Sequence, residues 1–165
     1  MPDPGQYLKN FPDFIRAFGG KAFAHQGAYT VGDHAGAALW LPPGVQPDEN
    51  AFSTLLERAG SEQVKKDCAA VFEQMERHHP KEPHWYLPFL AVDPRHQGEG
   101  YGSALLEHTL IPCDRDQALA YLESSNPKNI PLYERHGFKL LATLQSGTSP
   151  PIFPMLRKPR PRSPQ

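Results

Sequence analysis

The chain has 165 residues, of which 39% are hydrophobic, and its 17 basic side chains nearly balance its 18 acidic ones. This length suits one core of ordinary domain size. The balanced charge excludes a general attraction to nucleic acid or to an anionic membrane, so we expect a small-molecule partner, no nucleic acid and no membrane. The chain start lacks a signal-peptide pattern, and no stretch reaches the roughly 20 apolar residues of a membrane span, so we expect a soluble, cytoplasmic protein.

Hydrophobic periodicity divides the first half of the chain into helices and one hairpin. Apolar residues recur at three- and four-residue steps before Gly19-Gly20, which predicts a short amphipathic helix. Residues 22–31 and 35–42 flank a turn-like break and predict an antiparallel hairpin. Residues 50–59 and 61–79 predict two helices, and the second carries an apolar stripe that is typical of a protein core.

The second half of the chain alternates strands and helices. Its predicted strands are HWYLPFLAVDP, ALAYLES, FKLLATL and PIFPMLRK. Its predicted helices are SALLEHTLI and NPKNIPLYERH, the second closed by Gly137. Pro88 implies a bulge or a missing ladder partner in the first strand, and Pro112 should end or kink the first helix near Ile111.

A glycine-rich turn over residues 97–102 lies between a predicted strand and a predicted helix. Its glycines let the backbone approach a ligand, and the first amides of the helix favour an anion such as a pyrophosphate. A Walker loop is excluded because the turn contains no lysine. A dinucleotide site would need glycine in place of Ser103, although Glu123 lies near the expected distance for its acidic residue. A purely structural turn also stays open here.

Two motifs in this half of the chain occur in a fixed order, separated by one helix and one strand. The first is a Gln, two residues, Gly, one residue, Gly, and the second is an asparagine followed by a tyrosine and then Gly-Phe. The matching residues are Gln97, Gly100 and Gly102 in the first motif and Asn129, Tyr133, Gly137 and Phe138 in the second. With them the chain resembles the GNAT superfamily of acyl-CoA N-acyltransferases, and within it the puromycin N-acetyltransferase group, from about residue 22 to residue 158.

The resemblance implies an α/β fold, the GNAT fold. Its mixed, mostly antiparallel sheet has splayed central parallel strands and flanking helices. The splayed strands would be those that end at Val92 and Glu123. A single N-acetyltransferase domain is expected over residues 1–158, without the usual first strand and helix, and a disordered basic, proline-rich tail over residues 159–165. Three explanations of the missing element stay open: a truncated form, an element supplied by the partner subunit of a homodimer, or an uncovered sheet edge.

The resemblance also implies acetyl-CoA as the co-substrate, held in the gap between the splayed strands. The residues expected to bind it are Leu90, Ala91 and Val92 at the pantetheine and thioester, Gln97, Gly98, Glu99, Gly100, Tyr101, Gly102 and Ser103 at the pyrophosphate, and Asn129 at either group. The charge of Glu99 should weaken the binding of a pyrophosphate unless this side chain points to solvent.

Two residues are expected to move protons in such a reaction. In the family a tyrosine at the position of Tyr133 protonates the departing thiolate, and a buried core tyrosine is the alternative. Tyr133 lies one helical turn after Asn129, so both should share a face. Glu123 is the first candidate for the base that accepts the amine proton, directly or through a water, and a carboxylate that only satisfies nearby amides is the alternative. His84 is a weaker second candidate.

The histidines and cysteines predict no metal site. His78, His79 and His84 lack an acidic partner at a known spacing, and the adjacent pair should point in different directions from a solvated helix end. Cys68 and Cys113 have no metal-like spacing and are expected to be reduced thiols.

Together these features predict an N-acetyltransferase that transfers an acetyl group from acetyl-CoA to an amine of a small molecule or protein, directly in a ternary complex. An alternative is a CoA-binding or regulatory module without turnover, and a nucleotide-binding protein is the third possibility. The sequence does not identify the acceptor, which leaves an antibiotic, a polyamine, another small amine and a protein amino group open.

Overall fold

The computed structural model of the protein describes residues 4–59 and 61–161. The helices are α1 (Pro4–Gly19), α2 (Lys21–Ala24), α3 (Glu49–Ala59), α4 (Glu62–His78), α5 (Tyr101–Thr109), α6 (Ile111–Arg115) and α7 (Ile130–Arg135). The strands are β1 (Ala28–Val31), β2 (Gly36–Leu41), β3 (His84–Val92), β4 (Leu119–Ser124), β5 (Lys139–Leu140) and β6 (Phe153–Arg157). Within the described residues, no helix combines the length and the apolar character that a membrane span requires.

The first half of the chain follows the predicted helices closely and the predicted hairpin in part. α1 ends at Gly19 and the later helices start and stop within one residue of their predicted bounds. The prediction of strand over residues 22–27 is wrong, because α2 and a turn occupy them. Gly27 lies against the backbone of Trp40, where a Cβ would be 2.0 Å from the Trp40 carbonyl oxygen. Its amide donates to the Ala22 carbonyl, which holds this segment in a turn.

Prolines set the boundaries of the short elements in the second half. α5 ends at Thr109 and α6 starts at Ile111, as Pro112 predicts. The predicted helix over residues 126–136 is divided, because it opens as a 3₁₀ turn and becomes α-helical only at Ile130, with Pro131 in its first turn. The strand predicted in FKLLATL is regular only over Lys139–Leu140, with one further bridge from Leu144 to Ile152.

The six strands form one mixed sheet in the order β1-β2-β3-β4-β6-β5, in which only β3 and β4 run parallel. This arrangement confirms the predicted α/β fold. One face of the sheet packs under α5, α6 and α7 around Trp40, Leu106 and Phe138. The other face packs around Leu41 and Tyr121, with α1 and α2 above it.

β3 leaves β4 halfway along its length. The parallel pairing runs from His84 with Leu119 to Leu87 with Leu122 and goes no further, whereas β3 stays paired with β2 as far as Val92. The register against β2 shifts at the same place, so that Leu87 and Pro88 of β3 both lie opposite Trp40. A bulge bends the bulged strand, and proline has no amide to donate to a neighbour. The predicted bulge and the predicted splay are therefore both present.

A buried ion pair connects the end of β6 to α6. The Arg157 side chain is 2% exposed, and its two terminal nitrogens donate to the two carboxylate oxygens of Asp114 at 2.8 Å. Arg157 Nε donates to the His136 carbonyl. The Arg160 amide also donates to Asp114, which fastens residues 159–161 to the domain, while residues 162–165 of the predicted tail lie outside the described residues.

Replacing Asp114 by asparagine should destabilise the protein by about 3 kcal/mol, because the buried guanidinium loses its charged partner. The Arg157 guanidinium holds the pKa of Asp114 below its ordinary value of 3.8. A lowered carboxyl pKa stabilises the fold above the ordinary value, and that stabilisation is lost as the pH falls through the folded-state pKa. Urea unfolding should therefore show a gap between wild type and Asp114→Asn that narrows below pH 3.8.

Asp116→Asn is the matched control, because Asp116 is exposed and pairs with its neighbour Arg115 at the surface. Its effect should stay within about 0.5 kcal/mol at any pH. Equal losses in the two variants would contradict the importance of the buried pair.

Candidate active site

Two cavities open where β3 parts from β4. The larger has a volume of about 630 Å³ and lies on the side of α1, α3 and α4. The smaller has a volume of about 450 Å³ and lies against the glycine-rich turn at the start of α5. Leu90 and Asn129 line both cavities, so the two spaces meet at the splay.

The smaller cavity collects the residues that the sequence assigned to the cofactor. Its walls include Leu90, Ala91, Val92, Gln97, Gly98, Gly100, Tyr101, Gly102, Ser103 and Asn129. Glu99 is not part of this wall, since its exposed carboxylate lies 3.3 Å from His96 Nδ1 instead. The charge that was expected to weaken the binding of a pyrophosphate is thus turned away from the cavity.

The backbone of the turn has the shape of an anion cradle. Gly98 and Gly100 have φ angles of +84° and +86°, a left-handed conformation that side chains other than glycine rarely adopt. The first backbone bond of α5 runs from the Ala104 amide to the Gly100 carbonyl, so the amides of residues 101–103 precede the helical ladder. These amides carry the positive end of the helix dipole.

Sequence reasoning missed three residues of this cavity and one supporting contact. The additional wall residues are His96, Leu132 and Arg135, of which Arg135 adds a positive charge. Ser103 Oγ lies 2.9 Å from Nε2 of the buried His136, whose pKa is lowered by burial.

The larger cavity has aromatic walls. Rings from α1, α3, α4 and β3 surround it, namely Phe11, Phe14, Phe18, Phe52, Phe72 and Phe89. Their centroids lie close together, for example 4.9 Å apart for Phe18 with Phe52 and for Phe52 with Phe72. The apolar stripe of α4 belongs to the same wall, so the prediction that this stripe is ordinary core is wrong.

Tyr133 reaches the larger cavity from α7. Its side chain is buried at 5% exposure, and burial raises its pKa to about 12. The phenol therefore keeps its proton at neutral pH. Asn129, one turn earlier, lines the same cavity, as the spacing of the motif implies.

Glu123 brings a buried carboxylate into the same apolar space. Its side chain is 6% exposed, and within the described residues its Oε1 atom has no hydrogen-bond partner. The alternative that this carboxylate serves nearby amides is therefore not supported at Oε1. Burial raises the pKa of both Tyr86 and Tyr121, and so do the negative charge and the close approach of the Glu123 carboxylate. A buried carboxylate oxygen without a hydrogen-bond partner is costly, and it marks a place where a cationic ligand would be stabilised.

The three neighbouring histidines do not behave alike. His78 Nδ1 lies 2.9 Å from the Gln74 carbonyl on its own helix. His79 turns inward, with its side chain only 21% exposed and its Nδ1 atom 3.8 Å from Glu123 Oε1. The prediction of different directions is confirmed, but that of a solvated position is wrong for His79. The hydrogen bond of His84 on this side goes to His79, which lies between it and Glu123. Among the described residues, no cluster of three or more His, Cys, Asp or Glu side chains could hold a metal ion.

The comparison with known families agrees with this geometry. The family model described as Acetyltransferase (GNAT) domain matches residues 53–140, more than half of the chain and the whole path from α3 through the glycine turn to β5. The chain belongs to the GNAT acetyltransferase family. The reaction named in the description of this family is acetyl transfer.

Individual GNAT relatives agree with the assignment. An uncharacterized N-acetyltransferase of Schizosaccharomyces pombe is 30% identical over 149 residues, which cover 81% of this chain and 60% of the relative's length. The structure described as histone acetyltransferase HPA2 and related acetyltransferase from Corynebacterium glutamicum matches with a TM-score of 0.62 and 27% identity, over 99% of this chain and 80% of that one. A Drosophila melanogaster polyamine N acetyltransferase matches at a TM-score of 0.55 over 75% and 69% of the two chains, and its 15% identity shows the shared fold alone.

Replacing Glu123 by glutamine should stabilise this GNAT domain by about 1 kcal/mol, because a neutral amide costs less to bury than a carboxylate whose Oε1 atom has no hydrogen-bond partner among the described residues. Urea unfolding at neutral pH measures the difference. Glu134→Gln on the exposed side of α7 is the control and should change stability by less than about 0.5 kcal/mol. A clear loss of stability in Glu123→Gln would show that the carboxylate is part of the structural framework instead.

Proposed function

We propose that the chain transfers an acetyl group from acetyl-CoA to the primary amine of a small molecule with an apolar body, by direct transfer in a ternary complex. One observation carries this proposal. A buried carboxylate, whose Oε1 atom has no hydrogen-bond partner among the described residues, lies in an aromatic cavity, and that cavity meets an anion cradle at the point where two strands separate. Membership of the GNAT family supports the acetyl-transfer chemistry.

The smaller cavity suits the cofactor. The pyrophosphate would lie on the amides at the start of α5, where Arg135 adds a positive charge. The pantetheine arm would pair with the edge of β3 over residues 90–92, because β4 no longer occupies that edge. The thioester then lies near Leu90 and Asn129, at the junction of the two cavities. A backbone amide aimed at its carbonyl would stabilise the oxyanion of the tetrahedral intermediate.

The reaction needs one proton acceptor and one proton donor. The amine nitrogen loses a proton to Glu123 and attacks the thioester carbon, forming the C–N bond. The C–S bond then breaks, and the thiolate takes the phenolic proton of Tyr133. This transfer is feasible if the leaving sulfur is desolvated, since a buried thiolate is a strong base: burial is the main reason that the pKa of the Cys113 thiol rises to about 12, close to that of the Tyr133 phenol.

The lining of the larger cavity indicates the class of acceptor. Glu123 is the only charged side chain among the described residues that line it. It can pair with one ammonium group, while the surrounding rings favour an apolar or aromatic body and can contact the cation through their faces. A polyamine would bring further ammonium groups without partners, which is costly in an apolar space.

A thiol-release assay with an amine panel tests the proposed reaction. Phenylethylamine should support faster release of CoA thiol than spermidine or a lysine-containing peptide. Tyr133→Phe should lower kcat about 100-fold with an unchanged KM for acetyl-CoA, because only the departing thiolate needs the phenolic proton. The control is Tyr29→Phe, since Tyr29 contacts His108 outside both cavities. Binding of acetyl-CoA without turnover of any amine would instead favour a binding or regulatory module.

A pair of glycine variants tests the cofactor cradle separately. Gly100→Ala and Gly44→Ala both place alanine at a left-handed position, with φ angles of +86° and +85° and no atom within 4 Å of the new Cβ. Each should lose about 1 to 2 kcal/mol of stability. Only Gly100→Ala should also lose the rise in melting temperature that saturating CoA gives, because only Gly100 shapes the cradle. An equal response to CoA in both variants would place the cofactor elsewhere.

A further inference from the structure

A short chain of side chains leads from the buried carboxylate of Glu123 through His79 to His84, which is itself buried. His79 Nδ1 lies 3.8 Å from Glu123 Oε1, and His79 Nε2 lies 2.9 Å from His84 Nε2. At the far end, His84 Nδ1 lies 2.8 Å from the carbonyl oxygen of Glu82. The side chain of Glu123 is 6% exposed and that of His79 is 21% exposed, so His79 is the member that solvent reaches more easily.

The carbonyl at the end of this chain fixes the tautomers. A carbonyl oxygen only accepts, so His84 Nδ1 must carry a hydrogen and donate it to Glu82. A neutral His84 then has its lone pair on Nε2, and this atom accepts from His79 Nε2–H. The same rule leaves the lone pair of a neutral His79 on Nδ1, facing the carboxylate.

A lone pair that faces a carboxylate repels it unless a proton lies between the two groups. Glu123 and His79 are therefore arranged to share one proton, either as imidazolium with carboxylate or as imidazole with carboxylic acid. Without that proton the pair has one negative charge and can accept a proton. The gap of 3.8 Å closes to a hydrogen bond with a side-chain movement of about 1 Å.

We propose that His79 relays the proton of the acceptor amine from Glu123 to solvent, in a tautomer that His84 holds through the Glu82 carbonyl. This inference rests on the proposed acetyl transfer, and it makes His79 and His84 positioning residues behind Glu123. The amine gives one proton to the Glu123 carboxylate, and Glu123 passes a proton to His79 Nδ1. The imidazolium then releases its Nδ1 proton to water and keeps the Nε2 hydrogen that faces His84, which restores the resting tautomer beside a carboxylate for the next turnover.

The other titratable groups around His79 do not provide this route. Tyr86 of β3 and Tyr121 of β4 pack their rings on His79 at 5.6 and 4.6 Å, and the raised pKa of both keeps them protonated. Burial lowers the pKa of His84. Its Nδ1 hydrogen is hydrogen-bonded to the Glu82 carbonyl, and a backbone carbonyl is too weak a base to take the proton away. Two other carboxylates lie nearby. The negative charge of Glu76 on α4 adds to the raised pKa of Tyr121, and that of Glu82 partly offsets the lowering of the His84 pKa.

The pH dependence of acetyl transfer tests the relay, with phenylethylamine and the intact chain. His79→Gln should lower kcat/KM for the amine about 10-fold to 100-fold near neutral pH, with an unchanged KM for acetyl-CoA. The defect should shrink as the pH rises toward about 10, because more of the amine then arrives already deprotonated. His78→Gln is the matched control and should behave as wild type, since His78 faces Gln74. A loss of equal size at every pH would mean that His79 is only structural, and would overturn the relay.

Nitrogen chemical shifts of the imidazoles test the same arrangement without a reaction. In the ligand-free wild-type protein at high pH, where both rings are neutral, His84 should show the Nδ1–H tautomer and His79 the Nε2–H tautomer. The opposite tautomers would overturn the relay even if His79→Gln is inactive or poorly folded. The expected tautomers in a protein that acetylates no amine would instead overturn the proposed function, and with it any catalytic role for these histidines.

Discussion

After Leu87, β3 has a hydrogen-bonding neighbour on one side only, and the rest of the site depends on this. A strand inside a sheet normally pairs on both sides, so an open edge in the middle of the sheet needs a local cause. Pro88 provides one, because it donates no hydrogen bond and lies in a bulge opposite Trp40. The bend separates β3 from β4, while β3 stays paired with β2 in a shifted register. Both cavities, and the free edge between them, follow from that one bend.

The two cavities differ in the sign of the charge that their walls can stabilise. The smaller one is built largely from backbone, with amides and Arg135 that suit an anion. The larger one is built from rings, so the single carboxylate of Glu123 is poorly solvated there. A fold selected for stability alone would not retain such a carboxylate. The cost is understandable if the group is needed to take a proton from a cation that enters the same space.

Much of the fold and part of the site could be predicted from the sequence because they depend on local chemistry. Three of its features each constrain only a few neighbouring residues, wherever the rest of the chain lies. They are the left-handed glycines at 98 and 100, the proline at 88 and the spacing from Asn129 to Tyr133. Arg135 and His79 could not be placed in this way. Their roles depend on the packing of α7 and α4 against distant strands. The stripe on α4 was misread for the same reason, because periodicity cannot distinguish a core from a cavity wall.

The placement of the proposed proton donor and the proposed proton acceptor would also give the reaction a direction. Tyr133 comes from α7 and Glu123 from β4, and both are buried in one apolar space. Burial raises the pKa of the phenol to about 12, so it gives up its proton only to a strong base such as a desolvated thiolate. In the proposed relay, Glu123 passes its proton to His79, the more exposed of the two side chains, and is restored after each turnover. Tyr133 would then release its proton only to the leaving thiolate, while Glu123 would be reset through His79.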